Sequence, residues 1–395
     1  MIGIGLAFAA SFIVTWGVVY FSPQFGRFLF DHDLDGVQKF HVAPVPRIGG
    51  LGIFIAIVVC AGAAAMVDKG PGDELFWLIC CSLPAFGSGF IEDLTKKVSP
   101  RVRLLSTMLA TLLACFAFHA VVRRLDLPLI DVALSAAPVA FGFTVIAVAG
   151  MANSINIIDG FNGLASTVSM MIFASIAFVA YQVGDPLVLM IALTMIGAIL
   201  GFVIWNFPAG AIFLGDGGAY FIGFMLGESL VLLIVRHPEV SASYAMVALY
   251  PLFETLFSIY RRKFVRGTSP GAPDGVHLHT LIYRRVMLIG AGASVQRTRT
   301  RRNSMTSPYL WVLNLFAVVP ATLFWDDRAW LLASTALFVA LYVSLYSSIV
   351  KFRTPSWLIA RRRPPSLVKR VFQGGPGEES RESTLCDSEC VADKR

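Results

Sequence analysis

Eleven runs of roughly 20 apolar residues, joined by short polar connections, leave this chain little choice but a bundle of membrane-crossing helices. They fall near 3–22, 48–67, 75–91, 104–122, 135–152, 164–182, 188–205, 219–235, 243–260, 308–325 and 329–350. With 56% of 395 residues apolar and only 14% charged, too little polar surface remains for a soluble globule. The expected fold class is all-α: a polytopic integral membrane protein with about eleven transmembrane helices. The first run lacks a basic flank and reads as a retained helix rather than a cleaved signal peptide.

Basic residues resist translocation, so their distribution orients the bundle. Segments 23–47, 92–103, 261–307 and the tail from 351 carry 27 of the 32 Lys and Arg. The other side holds Lys69, Arg123, Arg124, Arg236 and Arg328. The N-terminus is therefore expected outside and the C-terminus in the cytoplasm. Residues 1–350 make the membrane domain, and 351–395 a tail that is basic at first, facing anionic headgroups of membrane lipids, and then polar and disordered. Cys60, Cys80, Cys81 and Cys115 fall in apolar runs, and Cys386 and Cys390 in the reducing cytoplasm, so none is expected in a disulfide. No internal repeat is visible, which weakens a transporter reading.

Polar chemistry is confined to the cytoplasmic connections. In "HDLDGVQKFHVAPVPRIGGLGIF", prolines deny the loop a helix, and Lys39, His41 and Arg47 face an anion or simply anchor the positive side. In "GFIEDLTKKVSPRVRLL", the adjacent carboxylates Glu92 and Asp93 repel unless a divalent cation or the following bases compensate, so a magnesium site and a solvated charge cluster are both open. In "MANSINIIDGFNGLAS", Asn153, Asn156 and Asp159 recur at three-residue spacing and share a helix face, a ligand site or a helix-packing stripe. In "WNFPAGAIFLGDGGAYFIGF", glycines around Asp216 let backbone amides converge on a phosphate, with a metal between it and the aspartate; a glycine turn capped by Asp is the alternative. In "PDGVHLHTLIYRR", His277 and His279 point the same way if extended, and with Arg284 and its neighbours they suit phosphate oxygens better than zinc, for which no third strong ligand is near in sequence.

Taken in order, from about residue 39 to about 285, these five strings resemble the polyprenyl-phosphate N-acetylhexosamine-1-phosphate transferases, the family of phospho-MurNAc-pentapeptide translocase and the bacterial GlcNAc-1-phosphate transferases. The resemblance implies a bacterial inner-membrane enzyme that moves a sugar-1-phosphate from a UDP-activated amino sugar to undecaprenyl phosphate. It would release UMP, use Mg2+ (or Mn2+) at a cytoplasmic site, and initiate cell-envelope glycan assembly, with no nucleic-acid partner and with a homodimer as one possible assembly. Carried over, Glu92 and Asp93 stand at the paired acidic positions, Asp159 at the first acidic position of its string, and Asp216 at the metal-binding aspartate. His277 and His279 fall on the His-rich loop. Catalysis is then expected of Glu92, Asp93, Asp159, Asp216, His277 and His279, and metal binding of Asp216 and Asp93. Substrate binding is expected of Lys39, His41, Arg47, Asn153, Asn156, Asn162 and Arg284. The chain departs from the pattern with Glu92 for Asp, Asn162 for a second Asp, Ala211 for a frequent Lys and Thr280 for a third His. A transporter or lipid flippase, which needs polarity across the whole membrane, and a prenyltransferase with two Asp-rich strings are the rival classes.

Overall fold

Proline and short polar caps set six of the thirteen α-helix starts among the described residues, because a helix's first amides have no internal partner and proline lacks the amide altogether. The computed structural model describes residues 2–24, 45–67, 70–265, 267, 276–287 and 295–351. The helices are α1 (Ile2–Phe21), α2 (Gly50–Val67), α3 (Pro71–Thr95), α4 (Pro100–Phe118), α5 (Pro128–Leu134), α6 (Ala137–Ile158), α7 (Leu164–Val183), α8 (Pro186–Asn206), α9 (Gly215–Arg236), α10 (Leu249–Tyr260), α11 (Leu278–Leu281), α12 (Val295–Leu323) and α13 (Arg328–Val350). Asp185 caps α8 by accepting from the Val188 amide at 2.9 Å, and Asp327 caps α13 through the Ala329 amide at 2.8 Å. Lys96, at φ 54°, turns the chain out of α3 before Ser99 and Pro100 open α4.

Among the described residues ten helical segments are long and apolar enough to cross a membrane, and the remaining expected run is the shorter apolar stretch Gly50–Met66. The expected span at 243–260 is a 3-10 segment, Ala242–Ala248, continued by α10 and a π-helical turn, Arg261–Val265. The largest departure is α12, which begins at Val295 rather than near 308. Its polar side chains Asn303, Ser304 and Ser307 bond to the connection after α6 and to Pro208. That gives the helix a packed face beyond the apolar run, which hydropathy does not register.

Helix α9 is the axis of the bundle. Its apolar window is 94% buried, against 17% for peripheral α1, and α3 and α6 pack along it. Close contact at its start demands glycine. A Cβ on Gly89 of α3 would lie 2.6 Å from the Asp216 carbonyl carbon, and Gly215 adopts φ 78° with Arg47 O and the Asp93 carboxylate in the space a side chain would need. The 46–50 connection pairs with 213–214 through Phe213 N to Pro46 O at 2.8 Å and Gly50 N to Leu214 O at 2.8 Å. These contacts bring the connections before α2, after α3, after α6 and before α9 to one end of the bundle.

Candidate active site

The site is built around the first turn of α9, whose amides carry the positive end of the helix dipole. Asp93, buried near the end of α3, accepts from the Asp216 amide at 2.8 Å and the Gly217 amide at 2.9 Å, one on each carboxylate oxygen. The glycine-bracketed amides therefore converge on a carboxylate of the chain itself rather than on an open phosphate site. The Asp216 carboxylate projects beyond them. Asn156 donates to its Oδ1 at 2.8 Å, and the Arg103 guanidinium, from the first turns of α4, is paired with its Oδ2. Arg103 also lies over the Tyr220 ring, 5.7 Å from its centre, so a cation already stands against Asp216.

Asp159 follows the last turn of α6. Burial pushes its carboxyl well above the ordinary carboxylate range; Arg47 opposes that shift and Asp93 adds to it. The connection carrying Asp159 is pinned at its far end. The Asn162 amide donates to Asn303 Oδ1 at 2.8 Å, the Ser307 hydroxyl to the Asn162 carbonyl at 2.6 Å, and the Gly163 amide to Asn206 Oδ1 at 2.6 Å.

The two histidines precede and open α11. Their rings stack with centres 5.1 Å apart and planes 10° from parallel, and both are buried. His277 Nδ1 lies 3.0 Å from Glu254 Oε1 on α10, and that same oxygen accepts from the Leu278 amide at 2.9 Å. Phe161 meets the His279 ring edge-on at 5.5 Å.

These elements enclose a cavity of about 320 Å³. Its lining includes Arg47, Asn156, Asp159, Asn162, Asp216, His277 and His279, side chains from parts of the chain up to 232 residues apart in number. Other expected site residues stand elsewhere. Glu92 turns back to its own loop, accepting from the Val98 amide at 2.6 Å, because the bend after α3 needs that acceptor. Asn153 sits one turn deeper and accepts from the Tyr220 hydroxyl at 3.4 Å, without lining the cavity. Arg284 is exposed and off the lining. Lys39 and His41 lie outside the described residues. Thr280 and Asn303 line the cavity although sequence reasoning gave them no role, and Arg103 and Glu254 contact its residues.

Among the described residues no three histidine, cysteine or carboxylate side chains close on one point, so no all-protein metal cage is present. Magnesium does not require one, since it keeps waters and substrate oxygens beside one or two carboxylates. Asp216, with a guanidinium as its stand-in cation, and Asp159, which lines the same cavity, are donors of the kind such an ion needs. The residues present fit a magnesium ion.

Residues 75–234 match the family described as glycosyl transferase family 4. Similar relatives include the probable undecaprenyl-phosphate N-acetylglucosaminyl 1-phosphate transferase of Bacillus subtilis, 28% identical over 64% of this chain and 68% of the relative. The undecaprenyl-phosphate alpha-N-acetylglucosaminyl 1-phosphate transferase of Thermotoga maritima is 29% identical over 63% of this chain and 72% of its own length. The decaprenyl-phosphate N-acetylglucosaminephosphotransferase of Mycolicibacterium smegmatis is 25% identical over 87% of both chains. Within an all-helical membrane bundle, the chain is thus similar over residues 75–234 to glycosyl transferase family 4, and over more of its length to polyprenyl-phosphate N-acetylglucosamine-1-phosphate transferases.

Proposed function

We propose that this protein transfers a sugar-1-phosphate of the N-acetylhexosamine class from a UDP-activated amino sugar to undecaprenyl phosphate, releasing UMP at the cytoplasmic face of a bacterial inner membrane. The observation that carries this reading is the single cavity lined by carboxylates, amide side chains, an arginine and two histidines at one end of the bundle. That end joins the lysine- and arginine-rich connections, which supports a cytoplasmic orientation. A soluble nucleotide sugar and a membrane-held phosphate can meet only at such a boundary.

The chemical obstacle is the approach of a phosphate anion to a diphosphate anion. An oxygen of the lipid phosphate attacks the β-phosphorus. The bond from that phosphorus to the bridging oxygen breaks, and the electron pair leaves with UMP. Bound at this end, Mg2+ (or Mn2+) would withdraw charge from the diphosphate and from the leaving oxygen. Asp216 would hold the ion, with Asp159 facing the same space. Asp93 serves that arrangement by gripping the amides of residues 216 and 217, which fixes the carboxylate of Asp216. Arg47, His277 and His279 receive charge on the phosphate oxygens. Asn156 orients Asp216, and Asn162 holds the connection that presents Asp159. The lipid phosphate is largely ionised near neutral pH, so direct displacement needs no general base.

The test is UMP release by the purified protein in lipid nanodiscs, with undecaprenyl phosphate and a panel of UDP-N-acetyl sugars. UMP should appear only when donor and lipid phosphate are both present, stop on chelation and return with Mg2+. Silence with every donor would overturn the assignment.

A further inference from the structure

Glu254 is a carboxylate buried in the membrane domain, 1% exposed, and it lies outside the stretch matched to the family. Burying such a group is costly unless its lone pairs are taken. They are taken by three donors from two parts of the chain. Oε1 faces His277 Nδ1 at 3.0 Å and accepts from the Leu278 amide at 2.9 Å, while Oε2 accepts from the Tyr342 hydroxyl of α13 at 2.6 Å. The backbone on the other side of His277 is held as well. Arg261 donates to the Val276 carbonyl at 2.9 Å and to the Tyr346 hydroxyl of α13 at 2.8 Å. The histidine is thus clamped before and after its own position, and both clamps lean on the last transmembrane helix.

An acceptor-only carboxylate at Nδ1 requires that nitrogen to carry a proton. With Nδ1 turned to Glu254, the opposite edge of the ring, which carries Nε2, is the edge directed away from that carboxylate, and His277 lines the cavity. Ring orientation is fixed too, since the stacked His279 ring, 5.1 Å away, leaves His277 little freedom to rotate. Nothing in this arrangement touches a substrate, so Glu254 acts through the histidine.

We infer that Glu254 is a positioning residue for His277, locking its Nδ1-protonated form so that Nε2 faces the diphosphate, and that Tyr342 extends this lock to helix α13. The inference rests on the reaction proposed above. It predicts that changes on helix α13, far in sequence from any of the five polar strings, alter turnover.

The experiment combines histidine-selective 15N NMR with kinetics on the full-length protein in nanodiscs, using Glu254→Gln, Glu254→Ala and Tyr342→Phe, with His277→Gln to assign the signal. In the wild type, His277 should show a protonated Nδ1 and a low-field Nδ1 proton. That proton should move upfield in Glu254→Gln, and the Nδ1-protonated signature should be lost in Glu254→Ala. Turnover should fall about 10- to 100-fold in Glu254→Ala, with KM for the UDP-sugar held within about threefold. Glu254→Gln, which keeps an oxygen for Nδ1, should regain most of the loss, and Tyr342→Phe should lose only a few-fold. Gln and Phe keep the volume of the buried groups, so both variants are read even if Glu254→Ala does not fold. An unchanged His277 signature in Glu254→Gln, or loss of the Nδ1-protonated signature in Glu254→Ala with unaltered turnover, would overturn the inference. If the wild type releases no UMP, the proposed reaction fails, while the NMR arm still decides whether Glu254 sets the state of His277.

Discussion

Both ends of the bundle carry carboxylates, arginines and a histidine, yet they handle charge in opposite ways. At the end away from the cavity of the candidate site, the groups pair with one another or with the backbone. His237 lies 3.1 Å from Asp185 and 3.1 Å from Glu239, Arg236 donates to Glu74 at 2.7 Å, and Asp126 accepts from the Ser241 hydroxyl and the Ala242 amide, each at 2.7 Å. Glu239 there is held below the ordinary carboxylate range, first by a backbone hydrogen bond and then by His237. At the candidate site burial drives Asp159 the other way. One end is a set of staples satisfied within the chain, and the other keeps a carboxylate whose charged form burial disfavours. The difference teaches where a cationic ligand is wanted.

The contrast predicts a sharp division of mutational effects. Asp216→Asn removes the charge that Arg103 now balances, and turnover should fall by about a thousandfold or more, measured as UMP release. Near-normal turnover would erase the functional distinction between the ends. Asp93→Asn comes next. An asparagine offers an oxygen to one of the two α9 amides and presses its NH2 against the other, so we expect about a hundredfold loss of turnover with roughly 2 kcal/mol of destabilisation. A variant as stable and as fast as the wild type would show that the grip on the start of α9 is dispensable.

That Asp93 accepts from backbone amides was not legible in the sequence, whereas its approach to Asp216 was expected there. The five strings stand out because polar residues interrupt or end apolar runs that have no other need of them, and hydropathy registers such interruptions directly. Almost every span was visible for the same reason. Arg103, Asn303 and Tyr342 escaped notice because each looks ordinary in its own neighbourhood: an interfacial arginine, an asparagine among arginines, a tyrosine in an apolar run. Glu254 is conspicuous near a span end, but there it reads as a structural brace for the basic loop that follows. Their roles depend on partners up to 141 residues distant in number, and only packing supplies those. The start of α12 was hidden likewise, since its first turns are polar and owe their helical state to the connection they grip.

At the opposite end the expected effect concerns stability alone. His237→Ala removes a bridge between the start of α8 and the chain after α9, in a partly exposed setting where such links contribute about 1 kcal/mol. Melting temperature in nanodiscs should drop by a few degrees at most, with UMP release unchanged. A loss of turnover at preserved stability would mean that the staples communicate with the cavity.

The smallest effect tests the comparison most directly, because it predicts a gain. Asp159 keeps its proton to higher pH in the folded protein than in the unfolded chain, since burial disfavours its charged form. Where a folded-state carboxyl is raised, the native state binds more protons than the unfolded state between the two pKa values. Stability therefore falls as pH rises through that window, from the ordinary carboxylate range upward. Asp159→Asn removes the titration and keeps the shape. Without magnesium, the variant should melt about 1–3 °C above the wild type at neutral pH, on the order of 1 kcal/mol, and the difference should vanish once the medium is acid enough to protonate the unfolded carboxyl. Added Mg2+ should raise the melting temperature of the wild type more than that of the variant. A variant less stable than the wild type at neutral pH without the metal would show that the Asp159 charge is already balanced inside the protein, by Arg47 or another group, and the two ends would then differ in place but not in kind.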